Sequence, residues 1–202
     1  MIQYFSLIVA AYLFGSIPFS VMIGYLFAGV DVRKQGSGNA GATNVYRVAG
    51  LAAAIIAGLL DALKGVIPVL TAKMLFPNSE WLMIACGLAA VAGHIFPIFA
   101  GFKGGKGVNT LLGMFIVLLP IEILICLGVF GIVFAATRIV SLGSMTAGVT
   151  LSVIALIEKY IMEKNMSLLL LSACIGVTLL VLFTHRANIR RLVRGEEKKL
   201  SR

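Results

Sequence analysis

Long uninterrupted apolar runs dominate this chain and leave few folds open to it. Stretches at roughly 3–29, 50–72, 81–101, 142–158 and 166–184 lie near the length of about 20 apolar residues that a helix needs to cross bilayer hydrocarbon. A membrane β-barrel would show alternating rather than continuous hydrophobicity. Composition points the same way: 60% of residues are hydrophobic, 12% are charged, and the mean hydropathy is +1.04. A soluble domain carries about twice that share of charge, and a disordered chain far less apolar surface. The expected architecture is an all-α integral membrane protein, a polytopic bundle with short, Gly-rich loops.

A further stretch, 109–137, is long enough for one crossing, but a single helix there would bury Pro120 and Glu122 near its middle. Read as two helices, 109–119 and 121–137, it uses Pro120 as a start signal and places Glu122 in the first turn. The basic residues favour this second reading. With seven spans, Arg33, Lys34, Arg47, Lys103, Lys106, Arg138 and the basic C-terminal cluster fall on one side of the membrane. Only Lys73, Lys159 and Lys164 fall on the other. With six spans the bias disappears, so seven are expected, with the loops and C-terminus cytoplasmic and the N-terminus outside. The first run has no basic residue before it and no cleavage site after it, and reads as an uncleaved span. The whole chain, 1–202, reads as one transmembrane domain. The net charge of +9 then belongs to loops and lipid headgroups, and no nucleic-acid partner is expected.

Three polar segments emerge on that basic side: GSGNAGATNVYR (36–47), GHIFPIFAGFKGGKG (93–107) and THRANIRRLVRGEE (184–197). In the first, Gly36, Gly38 and Gly41 let backbone N–H groups turn toward an anion, and Ser37, Asn39, Thr43 and Asn44 add side-chain donors. Arg47 supplies a full charge and a planar fork suited to phosphate. The G-x-G-x-x-G spacing is no dinucleotide fingerprint, because no strand or βαβ unit surrounds it. In the second, Lys103 and Lys106 lie among Gly104, Gly105 and Gly107, a compact cationic loop before a helix start that reads as a phosphate cradle. It is not a Walker loop: Ala100 and Gly107 stand where that motif needs Gly and Ser or Thr. In the third, His185 and Asn188 are three apart and share a helical face.

Other polar features read as structural. Asp61 and Lys64, three apart within a span, are expected as an inward-turned ion pair. Cys86, Cys126 and Cys174 each lie in an apolar run, with neither metal-ligand nor disulfide spacing. The Gly15–Pro18 and Gly65–Pro68 pieces read as kinks.

Together the three segments resemble the signature motifs of the bacterial, membrane-integral acylphosphate:glycerol-3-phosphate acyltransferases, in the same order and across the whole chain. The resemblance implies transfer of a fatty acyl group from acyl phosphate to the 1-hydroxyl of glycerol 3-phosphate, giving lysophosphatidic acid in the first step of phospholipid synthesis. It implies no metal or other cofactor, and a peripheral acyl-phosphate-producing enzyme as partner. Ser37, Lys106, His185 and Asn188 are the expected catalytic residues, with the remaining motif glycines, polar residues and cations binding substrate. An acyl phosphate already carries a good leaving group, so direct attack by the glycerol hydroxyl is expected. Either His185 or the donor phosphate takes the proton. A transporter of a phosphate-containing anion is the alternative reading, although no internal repeat supports it.

Overall fold

A computed structural model describes residues 1–200, and among them every regular element is helical. By contact the chain divides into two compact units, Met1–Leu118 and Leu119–Arg202.

In the first unit the N-terminal apolar run is two helices, α1 (Ile2–Gly15) and α2 (Phe19–Ala28), broken at Ser16–Pro18. Pro18 has non-helical torsions (φ −86°, ψ 64°), so the expected kink is a full interruption. After a 3₁₀ turn at Val32–Lys34, α3 runs Ala42–Leu75. It begins inside the first polar segment, so Thr43, Asn44 and Arg47 stand on helical turns rather than in a loop. The break in α3 is at Gly50 (φ 84°, ψ −177°), not at the expected Gly65–Pro68. Gly65 instead packs: a Cβ there would lie 2.0 Å from the Thr110 carbonyl oxygen of α5 (Val108–Leu118). Gly113 of α5 returns the contact, since its Cβ would lie 1.9 Å from the Ala62 oxygen. Without a water-driven hydrophobic force between helices, such small residues let backbones approach closely. The Thr110 hydroxyl donates to the Asp61 carbonyl at 2.9 Å across the same seam. Helix α4 (Glu80–Ile95) packs on α1, and a 3₁₀ turn (Ile98–Ala100) follows it.

In the second unit α6 (Pro120–Thr137), α7 (Val140–Tyr160) and α8 (Leu168–Thr184) pack in sequence, and α9 (Arg186–Val193) leaves α8 at a 60° bend. Leu119 has φ −141° and Pro120 opens α6, so 109–137 is two helices, as expected from the sequence. Ser152 and Thr178 bridge α7 and α8 at 2.8 Å, and the Thr178 hydroxyl lies 2.6 Å from the Gly148 carbonyl.

The helices wear their apolar residues outward. Leu59 is 62% exposed and Leu124 68%, whereas Asp61 is 1% exposed and Lys64 2%. That inversion suits lipid as the surrounding solvent. Ile2–Ala28, Ala42–Leu75, Glu80–Ala100, Pro120–Thr137 and Val140–Tyr160 are each long and apolar enough to cross a bilayer, and α8 with α9 makes a further, bent candidate. With 11 residues, α5 is about 16 Å long, half the hydrocarbon thickness. All three cysteines are buried.

Candidate active site

The first polar segment is built around Asn44, which is 1% exposed. Its Oδ1 accepts the Ser37 backbone N–H at 2.7 Å, and its Nδ2 donates to the carbonyls of Val32 (2.6 Å) and Gln35 (3.1 Å). The amide that sequence reasoning offered to substrate is therefore the internal brace of the loop. A Cβ on Gly36 (φ 63°) would sit 2.2 Å from Asn44 Oδ1, so glycine is required there twice over, by torsion and by space. Gly38 (φ 74°) turns the chain again, and Gly41 is the extended residue before α3. Ser37 is exposed on this turn, Thr43 and Arg47 are half-buried, and Asn39 carries a buried Oδ1 with no hydrogen-bond partner among the described residues. Arg47 has no carboxylate partner among the described residues; Asp31, which precedes this segment in the chain, is committed to Arg33 at 2.8 Å. Hydrogen bonds from Arg33 hold the Asp31 carboxyl below its ordinary range, against a smaller opposing effect of burial.

The second segment corrects an expectation. Gly104 N–H donates to the Ile95 carbonyl and Gly105 N–H to that of His94, each at 3.2 Å, so these amides close off the end of α4 instead of cradling an anion. The two glycines are there for space. A Cβ on Gly104 would lie 2.0 Å from the His94 oxygen, and one on Gly105 would lie 2.2 Å from His94 Nε2 and 2.5 Å from the Ala40 carbonyl. Ala40 and Gly105 thus bring the first and second segments into backbone contact. Gly107 (φ 80°) is buried at the turn into α5. Lys103 is exposed and Lys106 half-buried on this loop, and neither the Gly104 nor the Gly105 amide is left to meet an anion there.

Beneath the loop lies a cluster that the sequence only half revealed. Asp61 and Lys64 form the expected ion pair at 3.0 Å, but Ser20 Oγ also donates to Asp61 Oδ2 at 2.8 Å. His94 Nδ1 lies 3.5 Å from both Asp61 Oδ1 and Lys64 Nζ, and the ammonium stands 5.1 Å from the Phe19 ring centre. These groups line a cavity of about 10 Å³, room for roughly one water, that reaches Ala40, Lys103 and Gly105. Nothing in the linear spacing ties Ser20 or His94 to Asp61.

The third segment belongs to the second unit. His185 joins α8 to α9 and is 3% exposed. Its Nδ1 lies 2.8 Å from the Val181 carbonyl. A carbonyl only accepts, so Nδ1 carries a proton and Nε2 is the basic nitrogen of the neutral ring. Asn188 Nδ2 donates to Glu197 Oε1 at 2.5 Å; Ser141 Oγ (2.6 Å) and Arg191 Nε (2.6 Å, to Oε2) converge on the same carboxylate. Burial pushes the Glu197 carboxyl up, but these hydrogen bonds outweigh it and hold the group below its ordinary range. Sequence reasoning gave Glu197 no role, because Glu196 and Glu197, two adjacent glutamates, look alike until the tail is folded.

The chain matches the glycerol-3-phosphate acyltransferase family over residues 5–195. A glycerol-3-phosphate acyltransferase of Anaeromyxobacter sp. (strain K) is 46% identical over 197 residues, 96% of each chain. One from Chlorobaculum tepidum is 39% identical over 229 residues, covering 100% of this chain and 98% of the relative. Among solved structures, PlsY, an integral membrane glycerol 3-phosphate acyltransferase, matches in its glycerol 3-phosphate form with a TM-score of 0.90 at 39% identity, over 98% of this chain and 96% of that one. Its lysophosphatidic acid form matches with a TM-score of 0.88. Acyl transfer, rather than anion transport, is what these relatives have in common.

Proposed function

Because the chain belongs to the glycerol-3-phosphate acyltransferase family, we propose that its acyl donor is an acyl phosphate and that transfer is direct. The relative's glycerol 3-phosphate and lysophosphatidic acid forms correspond to the acceptor and product of this reading. The observation that carries it is Arg47, a half-buried guanidinium without a carboxylate partner among the described residues, beside a turn that exposes Ser37. Such a cation suits a phosphate dianion, bidentate and permanently charged. Lys103 and Lys106 supply further charge from the second loop.

In the reaction, a lone pair on the glycerol C1 oxygen attacks the acyl carbonyl carbon. The tetrahedral adduct collapses by breaking the bond from carbon to the phosphate oxygen, and inorganic phosphate leaves with that electron pair. The hydroxyl proton passes to His185 Nε2 or to the departing phosphate. Cations and the Ser37 hydroxyl stabilise the charge that develops on the adduct. The Asn39 and Thr43 side chains bind substrate beside them. Asn188 serves through Glu197, and the motif glycines through the shape they allow.

On this reading the chain crosses a bacterial inner membrane seven times with its loops in the cytoplasm, the short α5 accommodated by tilt or local thinning. A peripheral enzyme that makes acyl phosphate is the natural supplier. Purified protein given acyl phosphate and glycerol 3-phosphate is expected to release lysophosphatidate and phosphate, and to give none with acyl-CoA. Product from acyl-CoA overturns the donor assignment. A hydroxylamine-sensitive acyl-enzyme that is lost in Ser37→Ala overturns direct transfer.

A further inference from the structure

Along the chain Arg33 is one of several basic residues that fall on one side of the expected spans. In the fold it joins the first polar segment to the second. Its guanidinium grips Asp31 in a fork, Nε to Oδ1 at 3.0 Å and Nη2 to Oδ2 at 2.8 Å. The remaining arm, Nη1, donates to the Ala100 carbonyl at 2.8 Å and reaches the Lys103 carbonyl at 3.5 Å. Asp31 is itself 8% exposed and caps the turn by accepting the Arg33 backbone N–H at 2.9 Å, so the fork stands on a fixed base.

The two carbonyls that Arg33 holds bracket an unusual piece of backbone. Gly101 (φ 63°) and Phe102 (φ 59°) are consecutive left-handed residues. For glycine that conformation is free; for phenylalanine it is not. The Phe102 side chain is 58% exposed, so packing does not explain the cost. Strained torsions persist where the surroundings over-determine them, and here the surroundings are the Phe102 N–H bond to the Pro97 carbonyl at 2.9 Å and the Arg33 contacts on either side. Lys103 follows directly, and Lys106 three residues later.

We propose that Arg33 is a positioning residue for acyl transfer: it clamps the Ala100–Lys103 turn in its left-handed form and thereby sets where the lysines of the second loop stand relative to Ser37 and Arg47. The role rests on the reading of that loop as a phosphate-binding element. It requires the planar fork, since an ammonium can neither grip Asp31 bidentately nor span to two carbonyls. A residue that merely anchored the chain to anionic headgroups would need only its charge.

The test uses the full-length protein in detergent, with Arg33→Lys, Phe102→Gly, their combination, and Lys103→Met and Lys106→Met for comparison. Steady-state kinetics are measured against glycerol 3-phosphate and against acyl phosphate, alongside thermal unfolding. Arg33→Lys is expected to keep a near-normal melting temperature and lose about 10- to 100-fold in kcat/KM, the scale of an ångström-level misplacement. Phe102→Gly alone is expected to stay within about twofold of wild type, because glycine accepts the same torsions. In the Arg33→Lys background it is expected to restore activity several-fold, because the turn no longer has to be held against its preference. Arg33→Lys within about threefold of wild type overturns the clamp, as does a loss that tracks a fall in melting temperature, or the absence of rescue by Phe102→Gly. If Lys103→Met and Lys106→Met leave both KM values unchanged, the phosphate-binding reading of the loop fails and the clamp fails with it. If they raise KM while Arg33→Lys changes nothing, the clamp fails alone.

Discussion

The side chain of Asn44 accepts the backbone N–H of Ser37 at 2.7 Å, and in doing so holds the turn that presents the Ser37 side chain to solvent. Asn44→Asp keeps the acceptor but removes both donors, setting a carboxylate against the carbonyls of Val32 and Gln35. Leaving buried partners unsatisfied costs about 1–3 kcal/mol. Asn44→Asp is therefore expected to lower kcat/KM by about 5- to 100-fold, and steady-state kinetics of the purified variant check it.

Gly105→Ala asks for space that does not exist. Its Cβ meets His94 Nε2 at 2.2 Å and the Ala40 carbonyl at 2.5 Å, and a backbone oxygen cannot move aside cheaply. Activity is expected to fall by more than about tenfold, with a lowered melting temperature, since overpacking costs about 1–3 kcal/mol. An alanine variant with wild-type kinetics would refute the close contact of the two segments.

Removing one partner of the buried Asp61–Lys64 pair leaves the other charge stranded. Asp61→Ala or Lys64→Met alone is expected to destabilise by about 3–5 kcal/mol. The double variant should lose less than the sum of the two, because neither charge then remains uncompensated. A thermal-unfolding cycle measures the difference, and strict additivity would show that the pair is not coupled.

A pH effect is expected at Glu197. A carboxyl held below its ordinary range adds stability that is fully present above its unfolded pKa of about 4.3 and is lost as pH falls through the lower folded value. The melting-temperature gap between wild type and Glu197→Gln should be widest near neutrality and close below about pH 4. Asp31 is depressed in the same direction from a lower ordinary value, and its stabilisation is lost at correspondingly lower pH. A gap that does not change with pH would contradict the ionised tie to Ser141, Asn188 and Arg191.

His185→Gln separates the two possible proton acceptors. If His185 Nε2 takes the proton, kcat should fall by about 10²- to 10⁴-fold and the acid limb of the pH–rate profile should flatten. Retention of most of kcat assigns the proton to the departing phosphate.

Much of this protein was readable along the chain. Hydrocarbon cannot hydrogen-bond, so helix positions follow from runs of apolar residues. Pro120 as the start of α6 and the burial of Asp61 with Lys64 follow from the same penalty on polar groups in lipid. The motif residues were also visible, because glycine, cations and small polar side chains are conspicuous against that background. Only the tertiary structure decided which of them braces and which faces outward. Asn44 and the Gly104 and Gly105 amides are spent on internal hydrogen bonds. Arg33, Ser20, His94 and Glu197, which the linear order singled out weakly or not at all, hold the polar framework together. A donor's partner is set by the path of the backbone that returns to meet it, and residue type alone carries no record of that path.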